Sequence, residues 1–123
     1  MTIIINAHEN SIEKNELSNA NDQYRVIGIS TEHLSTNDMA YLDHIARMEN
    51  DENAAWDGVP FAFVGKRQEG YFVKMYEQLD FENSKITLPQ DQLQHIALTA
   101  LKAGYRMIEF DCDADSYEQF KSY

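Results

Sequence analysis

The sequence predicts an α+β fold: an antiparallel sheet with two helices packed on one face, in the ferredoxin-like order β-α-β-β-α-β, plus an N-terminal strand and arm. Three observations predict it. Two stretches carry apolar residues at helical spacing, short β-branched or aromatic runs flank them, and turn residues separate the two kinds in that order from Tyr24 onward. At 123 residues the chain can bury one core but not two. It therefore divides into a strand and polar arm over 1–23 and a single α+β domain over 24–123.

The arm opens with the β-prone run Ile3-Ile4-Ile5 and turns polar from His8 to Gln23, where only Ile12, Leu17 and Ala20 are apolar. Arg25-Val26-Ile27-Gly28-Ile29 reads as the first strand of the domain. A short turn through His33 follows, and Ser35 then stands where a helix N-cap is needed, with Asp38 three residues on beside the positive end of the helix dipole. Met39, Leu42, Ile45 and Ala46 share one helical face. Asp43 and Arg47, four apart, are expected as a solvated pair on the opposite side.

Trp56-Asp57-Gly58-Val59-Pro60 reads as a turn, with Trp56 as a lid on the core edge. Phe61 to Val64 and Gly70 to Tyr76 form a predicted hairpin whose loop holds Lys66 and Arg67, an adjacent basic pair expected at a solvated tip. Alternation puts Tyr71, Val73 and Met75 on one face and Phe72, Lys74 and Tyr76 on the other. The second helix is expected from a cap at Thr87 or Leu88, with Pro89 in its first turn. Its stripe is Leu93, Ile96, Ala97, Ala100 and Leu101, and Gly104 supplies the left-handed stop. Arg106 to Asp111 is the last strand, with Ile108 and Phe110 inward and Glu109 and Asp111 outward.

Charge narrows the function. Ten Lys and Arg against 21 Asp and Glu give a net charge of −11. Such a chain is not expected to bind nucleic acid directly, or an anionic membrane, because phosphate affinity comes from cationic contacts. It is suited to a basic partner, towards which it would be steered. No apolar run is long enough for a membrane span, the first residues lack the features of a secretory signal, and one cysteine excludes an internal disulfide, so a cytoplasmic setting is expected.

The acids gather in two places. One cluster is Glu49, Asp51, Glu52 and Asp57; the other is Glu109, Asp111, Asp113, Asp115 and Glu118. The alternate aspartates at 111, 113 and 115 resemble the start of a calcium loop, but Ser116 and Ser122 stand where such a loop needs glycine and glutamate. The four histidines, His8, His33, His44 and His95, show no metal spacing with a third ligand. Cys112 has no evident nucleophile partner and is expected to pack on the last strand. No glycine-rich phosphate loop or basic aromatic motif is present. No catalytic residue, cofactor or metal is therefore expected. The two acidic clusters are the expected partner-binding residues.

Ile29-Ser30-Thr31-Glu32-His33-Leu34 leading into a helix with Tyr41-Leu42-Asp43, the strand Gly70-Tyr71-Phe72-Val73, and Gly104 followed by Phe110-Asp111-Cys112-Asp113 carry a resemblance. Over about residues 27 to 113 the chain resembles a small bacterial family of unknown function found on plasmids, prophages and related mobile elements. The resemblance implies a cytoplasmic accessory role for such an element and transfers no catalytic residue. Together these readings predict a non-enzymatic inhibitor that engages the basic surface of a nucleic-acid-handling host protein, as an antirestriction or anti-CRISPR protein or DNA mimic does. The alternative is a regulatory or structural module acting by strand addition or by self-association as a homodimer, through Ile3-Ile4-Ile5 or the sheet face that the helices leave bare.

Overall fold

The computed structural model describes residues 16–49, 62–75 and 91–123. Ile3-Ile4-Ile5, Trp56 and its turn, Tyr76, and the cap expected at Thr87 or Leu88 with Pro89 lie outside the described residues. Strand β1 is Arg25–Ser30, helix α1 Thr36–Glu49, β2 Ala62–Arg67, β3 Gly70–Met75, helix α2 Leu93–Lys102 and β4 Tyr105–Asp111. The class is α+β and the order is β-α-β-β-α-β, as the sequence predicts.

The strands lie in the order β1-β4-β3-β2. β2 with β3 and β3 with β4 are antiparallel, whereas β1 runs parallel to β4, so the sheet is mixed and not the wholly antiparallel, ferredoxin-like sheet expected. Burial accounts for the order. The central strands β3 and β4 carry inward residues that are covered throughout, Tyr71, Val73, Met75, Ile108 and Phe110. β1 is covered only at its end, at Ile29 and Ser30, and tolerates an edge.

The inward residues match across the sheet. Ile29 lies opposite Phe110 and Phe110 opposite Tyr71; Ile27 lies opposite Ile108, Ile108 opposite Val73, and Val73 opposite Val64. Leu42, Ile45 and Ala46 of α1 and Leu93, Ile96, Ala97 and Ala100 of α2 join them in one core, so both helices cover this face. Each fully buried Leu, Ile or Val contributes about 1.5–3 kcal/mol relative to its exposed state. Val26, Phe63 and Phe72 project from the other face and stay exposed.

Local chemistry places the ends. Ser35 and Asp38 form a reciprocal capping box: the Asp38 N–H donates to Ser35 Oγ at 3.0 Å and the Ser35 N–H to Asp38 Oδ2 at 3.1 Å. Gly104, at φ 95°, ends α2 as expected. α2 begins after Gln92, whose side chain makes no capping bond because it is committed elsewhere. The hairpin turn is tighter than predicted. Pairing runs on to Arg67 opposite Gly70, so the turn is Gln68-Glu69, and Lys66 and Arg67 are strand residues, not a loop tip. Among the described residues no helix is long and apolar enough to cross a membrane.

Candidate functional site

Three features build an acidic end on the sheet. Gly70 pairs with Asp111, which sets the hairpin turn beside the end of β4. A Cβ at position 70 would overlap the Phe110 carbonyl, so only glycine allows this approach. Past β4 the chain turns sharply, with the Asp113 N–H on Asp111 Oδ1 at 2.9 Å and the Ala114 N–H on the Asp111 carbonyl at 3.2 Å. Ligand atoms of Glu69, Asp111, Cys112 and Asp113 consequently lie within 4.8 Å of one another.

Charge is not uniform there. Arg67 pairs with Glu109 and, at 3.2 Å, with Asp111, so these two outward acids are partly neutralised. Glu69, Asp113, Asp115 and Glu118 are exposed, and no ion pair holds them among the described residues. Cys112 is exposed in the turn and does not pack on the strand as expected, because the chain leaves the sheet at Asp111. Desolvation, and then the carboxylates of Asp113, Glu69 and Asp111, push its thiol above the usual range. That disfavours the thiolate needed of a nucleophile or a soft-metal ligand. The three carboxylates are the groups that could hold a hard cation; what the cluster does without one is present closely spaced acceptors to a basic group.

Of the predicted binding residues, Asp111 and Asp113 are brought together with Glu69, which was not predicted, and Glu109 is linked to Asp111 through Arg67. Asp115 and Glu118 follow on the tail. Asp51, Glu52, Asp57 and the side chain of Glu49 lie outside the described residues.

The tail is positioned by residues that sequence reasoning missed. It returns along the outer edge of β1, where the Ser30 N–H donates to the Asp115 carbonyl at 2.9 Å and the Tyr117 hydroxyl to the Gly28 carbonyl at 3.1 Å. It closes on His33, which is 1% exposed. The Tyr117 N–H donates to His33 Nε2 at 2.9 Å, and a backbone amide can only donate. The ring proton is therefore assigned to Nδ1, which donates to the Lys121 carbonyl, also at 2.9 Å. Gln92 completes the clasp: its amide donates to the carbonyls of His33 and Lys121 and its oxygen accepts the Lys121 N–H. Phe120 seals it, edge-on to His33 at 5.6 Å and to His95 at 5.5 Å.

One polar group was misjudged and another was not singled out. Asp43 is not in a solvated pair with Arg47. Its Oδ1 accepts from Lys66 at 2.5 Å and from the Tyr71 hydroxyl at 2.9 Å. Desolvation works against the charged form, but those two hydrogen bonds and the charges of Lys66 and Arg47 outweigh it, and the carboxyl sits below its ordinary value. Desolvation, then Asp43, pushes the Tyr71 phenol strongly up. Asp91, exposed at the start of α2, accepts from Ser35 Oγ at 2.5 Å and ties the two helix starts together.

No curated protein and no solved structure matches the chain. A family profile described as the C-terminal domain of a family of unknown function, DUF5983, matches residues 26–123. That span takes in the sheet, both helices, the acidic end and the clasped tail, together with the motifs on which the resemblance to an uncharacterised family was read. The chain belongs to the DUF5983 family of unknown function.

Proposed function

We propose that the protein is a non-enzymatic binding protein whose acidic sheet end engages a basic surface on a nucleic-acid-handling host protein, as an accessory factor of a bacterial mobile element. The observation that carries this reading is the convergence of Glu69, Asp111 and Asp113 to within 4.8 Å in a chain of net charge −11. Asp115 and Glu118 follow on the tail, both exposed. A protein that neutralises phosphates with Lys and Arg offers the complement to such a cluster, and the inhibition would be of the antirestriction or anti-CRISPR type.

Affinity capture from bacterial lysate, read by mass spectrometry, tests this. Nucleic-acid-binding proteins held at low salt, released at high salt and displaced by duplex DNA are the expected result. A second reading, a self-associating regulatory module, is favoured by Val26, Phe63 and Phe72, which are 48%, 49% and 38% exposed on one sheet face. In the same experiment that reading predicts salt-resistant capture of the protein itself.

A further inference from the structure

Beside the acidic end, the molecule has a basic hollow. A cavity of about 550 Å³ opens between α1 and the edge strand β2, lined by Ala40, Asp43, Ala46 and Arg47 of the helix and Lys66 of the strand. Register explains its position. Lys66 lies opposite Tyr71, on the helix-covered face of the sheet but at its margin, where α1 packs on β2. Two alanines on the helix leave the space open.

The polar groups around this space are ordered from below. Tyr71 is buried in the core, and its hydroxyl fixes Asp43 Oδ1 at 2.9 Å; the same oxygen fixes Lys66 Nζ at 2.5 Å. The Lys66 ammonium also sits 5.6 Å from the centre of the Tyr71 ring. Asp43 thus orients one cation and compensates its charge. Arg47 remains. It is exposed, makes no hydrogen bond among the described residues, and acts on Asp43 through its charge alone. Acids outnumber cations 21 to 10 in this chain, and among the described residues this guanidinium lines a cavity without bonding a carboxylate.

We propose that this cavity is a binding site for a small organic anion, with its phosphate or carboxylate group held by Arg47 and Lys66. The planar guanidinium matches an oxyanion through two parallel N–H donors, and the ammonium, its charge balanced by Asp43, adds N–H donors that Asp43 already aims. The volume lies within the roughly 300–1,000 Å³ usual for small-molecule sites, so it takes an organic body as well as the anionic group. The site is separate from the acidic end, which takes cations, and does not depend on the function proposed for it.

Backbone amide shifts of the full chain, titrated with AMP in one arm and succinate in the other, test the site. The expected result is a saturable shift at Ala40, Ala46, Arg47 and Lys66 with at least one probe, and the probe that acts names the anionic group. Arg47→Gln, an exposed substitution that leaves the core intact, lowers the affinity for that probe at least tenfold, and Lys74→Gln on the opposite sheet face leaves it unchanged. Absence of a saturable shift with both probes overturns the proposal, as does equal affinity in the wild type and Arg47→Gln.

Discussion

His33 holds together two ends of the chain that no local pattern joins. Its ring bonds partners 84 and 88 residues away, Tyr117 and Lys121. Replacing it with alanine leaves the Tyr117 N–H unpaired, leaves the Lys121 carbonyl with Gln92 alone, and opens a cavity beside Phe120. We expect a loss of about 2–4 kcal/mol in chemical denaturation. Amide exchange at Tyr117 and Phe120 should quicken before the rest of the domain opens; unchanged exchange there would contradict the clasp. This residue was illegible in the sequence for a physical reason. A lone histidine in a turn has no periodicity, and its partners are backbone groups that any residue supplies. Asp43 was misread for a related reason. Its helical neighbour Arg47 was visible at a spacing of four, whereas its bonded partners Lys66 and Tyr71 are 23 and 28 residues on, across the sheet. Ser35 and Asp38 were legible because a capping box is complete within four residues.

Periodicity acts at the scale of elements, and there the sequence was informative. The stripe Leu93, Ile96, Ala97, Ala100 is the buried face of α2, and Tyr71, Val73 and Met75 face inward on β3 as alternation requires. Pairing was less legible. Alternation states which face of a strand is covered, not which strand lies beside it, so the parallel β1–β4 pair did not follow from the order of elements. The hairpin turn shortened for the same reason, since cross-strand pairing continued through two basic residues. Gly70 lies too close to the Phe110 backbone for any side chain. Gly70→Ala should cost at least about 2 kcal/mol, because the methyl group meets the Phe110 carbonyl and the strands must part. A thermal melt that matches the wild type would show that the approach is not needed. Opening this pair also moves Glu69 away from Asp111, so the same substitution loosens the acidic end.

For the whole molecule the dominant quantity is the excess of acids, and its effect depends on where the charge is left uncompensated. Arg67 takes up part of the charge of Glu109 and Asp111, and Lys66 that of Asp43. Glu69 and Asp113 remain open to solvent at one end of the sheet, and Asp115 and Glu118 on the tail that follows. Composition made the net charge legible, and the alternate aspartates pointed to the tail. The contribution of Glu69 was not visible, because it depends on the hairpin turn lying against β4. The most direct test of the binding account is a side-by-side capture from bacterial lysate with the wild type and a variant carrying Glu69→Gln, Asp113→Asn, Asp115→Asn and Glu118→Gln. Asp111 is left in place because it pairs with Arg67 and holds the turn. The account predicts that basic nucleic-acid-binding proteins retained by the wild type at low salt are lost with the folded variant. Retention of the same proteins by both would contradict it.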